Sequence, residues 1–229
     1  MSGSCANELA RYARWLHRLG YMPGTAGNLS IRLDDGRIMA TPTGCSKRVL
    51  NARDMVIVNM KGELLTGSRE VTSEIGMHLE IYRRREDVQA VVHAHPPIAT
   101  AFASCGVALD QPLCCEIIMT LGAIPLADYA TTGTDAMGES LRPHVMDHDA
   151  MLLANHGAVT YGKNIVDAAL KMETLEHFAQ VVLAARQIGT PKLLGQDDIG
   201  RLYIARAAYL ERSMPRAAVC KHVAASAAD

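Results

Sequence analysis

Aromatic residues are scarce in this 229-residue chain: one tryptophan, two phenylalanines and seven tyrosines make up 4% of it. Proteins that hold single-stranded nucleic acid stack bases on aromatic faces, so the scarcity argues against such a surface. Neither sign of charge dominates, the formal net charge being −1 with no basic stripe. A duplex-binding surface would then lack the counterion release that supplies much of its affinity. No nucleic-acid partner is expected. No apolar run approaches the roughly 20 residues that span a bilayer, and Arg11, Arg14 and Arg18 interrupt the first apolar segment, so neither a membrane span nor a signal peptide is read. The six cysteines show no CxxC spacing and two, Cys114 and Cys115, are adjacent. That suits neither a disulfide framework nor a zinc ribbon and reads as reduced thiols in a cytoplasmic protein. The expected partner is a small molecule.

What is present is enough apolar material for a sizeable core, 49% of the chain, and no long linker divides it. One domain over residues 1–215 is expected, followed by a flexible tail at 216–229. Leu9, Tyr12, Ala13, Leu16 and Leu19 recur at helical spacing and predict a first helix over 6–20. Hairpins are predicted from 29–33 to 37–40 and from 55–59 to 63–65, turning at Asp34-Asp35-Gly36 and Lys61-Gly62. Helices follow at 72–86, 97–105, 134–146, 164–189 and 198–212, with strands at 90–95, near Ile124-Pro125, and over the run ending at Asn155. On the longest helix Val166, Leu170, Leu175, Phe178, Val182 and Leu183 define the apolar face. Hairpins mixed with covering helices indicate a layered α/β domain with a largely antiparallel sheet.

The chemistry centres on Ala90-Val91-Val92-His93-Ala94-His95-Pro96-Pro97. Alternate residues of a strand share a face, so His93 and His95 point the same way about 6.6 Å apart along it. The prolines end the strand there. A metal needs a further ligand, and the best candidate is His156, at the end of the apolar run Met151–Ala154. Three histidines leave a fourth position open, as in a catalytic zinc site. Gly27-Asn28 and Thr43-Gly44 offer unobstructed backbone N–H groups, and Thr72-Ser73 adds two hydroxyls at a helix start; together they could cradle a phosphate. Glu74 beside them is an ordinary first-turn glutamate taken alone. It becomes a general-base candidate if phosphate and metal belong to one ligand. His78, four residues on, is placed to orient Glu74 or a ligand.

In order and approximate spacing from about residue 8 to residue 190, Gly27-Asn28-Leu29-Ser30-Ile31-Arg32, Thr41-Pro42-Thr43-Gly44, Thr72-Ser73-Glu74, His93-Ala94-His95 and Asn155-His156-Gly157 resemble the successive motifs of the class II aldolase/adducin family. The Thr-Ser-Glu start most resembles its L-fuculose-phosphate aldolase branch. The resemblance implies a three-layer α/β/α class II aldolase fold. It implies one divalent metal on His93, His95 and His156, with Glu74 as a possible fourth ligand before substrate binds. The ion would be Zn²⁺, with Mn²⁺, Co²⁺ or Fe²⁺ as alternatives. Gly27, Asn28, Thr43, Gly44, Thr72 and Ser73 would receive the substrate phosphate. The implied reaction cleaves a (deoxy)ketose 1-phosphate, of the L-fuculose, 5-deoxyribulose or 5-methylthioribulose type, to dihydroxyacetone phosphate and an aldehyde through a metal-stabilised enediolate. Glu74 would handle the proton at C3.

One stretch departs from that branch. Where a neighbouring subunit should supply a tyrosine, this chain reads Leu113-Cys114-Cys115-Glu116-Ile117, so Glu116, or else Tyr203 or Tyr209, would exchange the proton on the aldehyde oxygen. By the same resemblance the expected assembly is a homotetramer with sites between subunits. Two alternatives stay open: a pentulose-phosphate 4-epimerase or phospho-keto-acid decarboxylase of the same family, and a non-catalytic adducin-like interaction domain. Glu74 in place of an aspartate speaks against the epimerase.

Overall fold

In the computed structural model, which describes residues 2–212, the tight turns that the sequence places after Leu33 and at Lys61-Gly62 form, and the strands they join belong to a single sheet. Its strands among the described residues are β1 (Asn28–Arg32), β2 (Ile38–Ala40), β3 (Val56–Val58), β4 (Leu64–Thr66), β5 (Ala90–Ala94), β6 (Leu126–Ala127), β7 (Ala150–Leu153) and β8 (Gly157–Gly162). They lie in the order β4-β3-β2-β1-β5-β8-β7-β6. Every neighbouring pair is antiparallel except β6 with β7. The helices are α1 (Ser2–Arg18), α2 (Ile75–Arg84), α3 (Pro97–Ser104), α4 (Cys115–Thr120), α5 (Asp135–Ser140), α6 (Ile165–Ile188) and α7 (Gln196–Arg212).

Both faces of the sheet are covered. Leu9, Leu16, Phe102, Met172 and Leu175 of α1, α3 and α6 pack with Leu29, Val92 and Leu152 on one face. Met77, Leu79, Met137 and Leu141, from α2, α5 and the residue after it, pack with Val91, Met151 and Val159 on the other. This is the expected three-layer α/β/α arrangement. Coverage from both sides explains why β5 reads as continuous apolar sequence rather than an alternation. The alternation still decides direction: Val91 faces α2, so His93, two residues on, faces it too.

Several elements differ from the sequence expectation. Helix α2 begins at Ile75, with Glu74 at its capping position rather than in its first turn. Helix α5 stops at Ser140, and irregular turns fill the stretch expected to continue it to 146. The strand expected at Ile124-Pro125 lies two residues later, Ile124 making only an isolated bridge to Leu109. Helix α4 and strand β8 were not expected at all. On α6, Leu175, Phe178 and Val182 are buried, but Leu170 and Leu183 are exposed at 48% and 37%. Leu170 sits five residues before Leu175, about 140° around the helix, and so leaves the apolar stripe. Cys45, Cys105, Cys114 and Cys115 are free thiols as expected. Among the described residues no helix is long and apolar enough to cross a membrane. The expected tail at 216–229 lies outside the described residues.

Candidate active site

The histidine strand ends as its prolines require. His95 leaves the sheet, its N–H donating to Tyr21 O at 2.8 Å. Pro97 then opens α3, where a missing N–H costs nothing. The buried Glu176 carboxylate fixes that helix start, accepting the N–H groups of Ile98 at 3.1 Å and Ala99 at 2.8 Å. His156 arrives from the other side, in the tight turn between β7 and β8. Asn155 holds that turn in the left-handed region at φ 56°, which asparagine tolerates better than most residues. Gly157 follows because nothing larger fits: a Cβ there would lie 2.7 Å from Ala94 O and 2.8 Å from His95 Cδ2.

The three rings meet with centroids 4.7–4.9 Å apart, and one nitrogen of each lies within 4.8 Å of the others. His93 Nδ1 donates to Ala158 O at 3.0 Å, so its Nε2 carries a bare lone pair. That atom stands 3.0 Å from His95 Nε2 and 3.3 Å from Glu74 Oε2. Glu74 Oε1 lies 3.2 Å from His156 Nε2 and has no hydrogen-bond donor. Burial pulls His93 down to about 3 against the opposing carboxylate of Glu74, with His95 and His156 adding to the fall. Burial lowers His95 as well, with His156 next. Burial pushes Glu74 upward, but His93, His156 and the Asn28 amide outweigh it and hold the carboxylate well below its usual range. Three imidazole nitrogens and a carboxylate converging on one point, with a buried oxygen left without a donor, fit a divalent cation and could hold one.

The loops expected to take a phosphate are adjacent in the fold. Thr41 N–H donates to Leu29 O at 2.9 Å, and Pro42 bridges Val71, so 27–28, 43–44 and 72–73 lie side by side. Their donors are partly committed. Thr43 N–H donates to Glu70 O at 3.0 Å, and Asn28 Nδ2 to Glu74 Oε2 at 2.7 Å. Thr72 Oγ1 faces Glu74 N at 3.4 Å. Gly44 and Ser73 are open to solvent or nearly so, and Gly27, at φ 73°, packs tightly against His93 O and Met22. Glu116 stands apart at the exposed start of α4, accepting from Cys115 Sγ at 3.2 Å. Tyr203 is half-exposed on α7, beside Gly122, and the Tyr209 side chain lies outside the described residues.

Lys47 had no role in the sequence reading. It is 1% exposed, and its Nζ donates to Thr25 O at 2.7 Å and Cys45 O at 3.1 Å, tying two of the loops together. Burial pulls it down to about 8, against Cys45 and Glu74. A lone lysine in a loop of small residues was its only signal.

Gly157→Ala tests the histidine cluster. The added methyl should push His95 or Ala94 aside, destabilising the protein by about 1–3 kcal/mol and lowering metal retention. Denaturant unfolding and elemental analysis measure the two effects, and wild-type values in both would show that the turn has room.

The model of the Class II Aldolase and Adducin N-terminal domain matches residues 7–183. The chain belongs to this family. It is 36% identical over 197 residues to a 5-deoxy-D-ribulose 1-phosphate aldolase of Bacillus thuringiensis serovar kurstaki, covering 85% of this chain and 92% of that one. It is 37% identical over 202 residues to a 3-oxo-tetronate 4-phosphate decarboxylase of Pectobacterium atrosepticum, covering 85% and 90%. A solved L-fuculose 1-phosphate aldolase superposes with a TM-score of 0.84 at 28% identity, over 90% of this chain and 97% of that one. The protein is accordingly an enzyme of the lyase class within this family.

Proposed function

We propose that this enzyme cleaves a (deoxy)ketose 1-phosphate, of the 5-deoxyribulose, L-fuculose or 5-methylthioribulose type, into dihydroxyacetone phosphate and an aldehyde. The observation that carries the reading is the meeting of three imidazole nitrogens with the ionised Glu74 carboxylate, one oxygen of which has no hydrogen-bond donor. His93, His95 and His156 would hold one divalent ion, Zn²⁺ by preference of an all-nitrogen ligand set, which would supply Lewis acidity to the substrate carbonyl. Gly27, Asn28, Thr43, Gly44, Thr72 and Ser73 surround the phosphate, chiefly through the hydroxyls and unspent N–H groups of the three adjacent loops. When the C3–C4 bond breaks its electron pair stays on C3, and Glu74 Oε1 handles the proton there. The C4 hydroxyl proton passes to an acid–base group from a second copy of the chain, for which Glu116 is the candidate. Its exposure on α4 supports a site completed across an interface, and with it a homotetramer. A cytoplasmic location agrees with a substrate of this kind.

A second reading, decarboxylation of 3-oxo-tetronate 4-phosphate, is favoured by the 37% identity to an enzyme of that name. Both reactions place a carbanion beside a carbonyl and need the same ion and carboxylate. One panel separates them: ketose 1-phosphates followed by NADH-coupled detection of dihydroxyacetone phosphate, and the oxo-tetronate followed by CO₂ release, each with and without added Zn²⁺. Metal-dependent dihydroxyacetone phosphate is expected, and its ranking across the panel identifies the aldehyde half. CO₂ release alone would establish the decarboxylase instead.

A further inference from the structure

Two periodicities interlock above Glu74. Alternation along β1 puts Asn28, Ser30 and Arg32 on the sheet face that α2 covers, while Leu29 and Ile31 turn to the opposite core. Four-residue spacing puts Glu74, His78 and Tyr82 on the face of α2 that meets them. The side chains alternate between the two elements. Asn28 Nδ2 donates to Glu74 Oε2 at 2.7 Å. His78 Nε2 stands 2.6 Å from Asn28 Oδ1, and His78 Nδ1 stands 2.7 Å from Ser30 Oγ. Ser30 Oγ is 2.8 Å from Tyr82 Oη, and the Arg32 guanidinium lies 4.9 Å from the Tyr82 ring centre. Asn28, Ser30, His78 and Tyr82 are all buried.

The donor inventory permits one direction for this string. An ionised carboxylate can only accept, so Asn28 must turn its amide N–H to Glu74 and its carbonyl to His78. His78 Nε2 must then carry the proton. Burial keeps that imidazole neutral, pulling it down to about 4 against the opposing charge of Glu74, so Nδ1 is the acceptor and Ser30 Oγ–H its donor. With its proton given to His78, the Ser30 oxygen takes the Tyr82 O–H. Reversing any one link sets two donors or two acceptors against each other in a place water does not reach, which costs far more than the link contributes.

We infer that His78, Ser30 and Tyr82 are positioning residues that lock the Asn28 amide in the orientation that binds Glu74 Oε2, leaving Oε1 as the oxygen that exchanges the substrate proton. The role in turnover rests on the aldolase reading; the hydrogen-bond direction does not. The string carries no proton, because the amide in its middle cannot pass one. Asn28 therefore serves Glu74 first, and its contribution to a phosphate is limited to its backbone and its second amide hydrogen.

The test uses the full-length protein, labelled with 15N-histidine and examined both Zn²⁺-loaded and after chelator treatment. Wild-type His78 should be the neutral Nε2–H tautomer in both forms, and Ser30→Ala, which deletes the donor to Nδ1 but leaves the Asn28 acceptor at Nε2, should keep that tautomer while moving the Nδ1 resonance to that of an unbonded lone pair. In the dihydroxyacetone phosphate assay His78→Leu should lower kcat roughly tenfold to a hundredfold, the value of a hydrogen bond to a charged group, with KM and bound Zn²⁺ retained. His78→Gln, whose amide N–H replaces the ring donor, should recover most of the loss. If His78→Leu does not fold, Ser30→Ala and Tyr82→Phe carry the kinetic comparison. An Nδ1–H tautomer or an imidazolium in the wild type, or wild-type kcat in the folded variants, overturns the inference. A wild type that yields no dihydroxyacetone phosphate overturns the aldolase reading alone, and the tautomer measurements still decide the string.

Discussion

Replacing His95 by alanine should give a folded protein that binds divalent metal more than roughly 100-fold more weakly and loses turnover in proportion. Removing a group that merely orients a metal ligand typically costs about 10–100-fold in affinity, so removing a ligand should exceed that. His95 is the cleanest of the three to remove. Its ring is only partly buried beyond the end of β5, whereas His93 is 0% exposed and its loss would open a cavity beside Glu74. Elemental analysis after gel filtration, a thermal melt and the coupled assay measure metal, fold and activity on the same sample. Chelation of the wild type should reproduce the loss, and added Zn²⁺ should reverse it in the wild type alone. Stoichiometric metal in the variant would mean that the three imidazoles do not act as a ligand set.

The second large effect separates metal binding from proton transfer. Glu74→Gln should retain the metal and lose about 10²–10⁴-fold in kcat, the usual contribution of a positioned general acid or base. The substitution keeps an oxygen that can accept the Asn28 N–H, so the geometry of that contact survives. What disappears is the ability of the second oxygen to take up and release a proton. KM should change little, because the loops proposed to hold the phosphate are untouched. Full activity in this variant would sink the proton-transfer role. Loss of metal together with activity would make Glu74 a ligand before all else.

Much of the fold could be read from local pattern. The hairpin turns, the amphipathic first helix and the buried histidine strand each declare themselves within a few residues. Strand β8 did not, because the apolar run predicted as a strand stops at Asn155 and a glycine follows His156. In the structure that glycine is the residue through which the chain turns back against β5, and the Ala158–Tyr161 alternation beyond it was the available signal. Helix α4 is six residues long, too short for a periodic pattern to emerge. Leu170 and Leu183 were misplaced for the opposite reason: on a long apolar helix, composition exceeds what one stripe can bury.

The candidate site divides along the same line. Sequence alone determined the residue types and their local facing: two histidines on one side of a strand, a third before a glycine, a glutamate beside small-residue loops. These follow from covalent periodicity, which operates within a single element. Only the tertiary structure decided that β8 lies beside β5, so that His156 reaches the other two. It alone decided that α2 lies across β1, so that Asn28 takes hold of Glu74 rather than standing free in its loop, and that Lys47 is buried between two loops. Those are matters of strand order and layer stacking, set by which apolar faces bury against one another across long stretches of chain, and no local spacing records them.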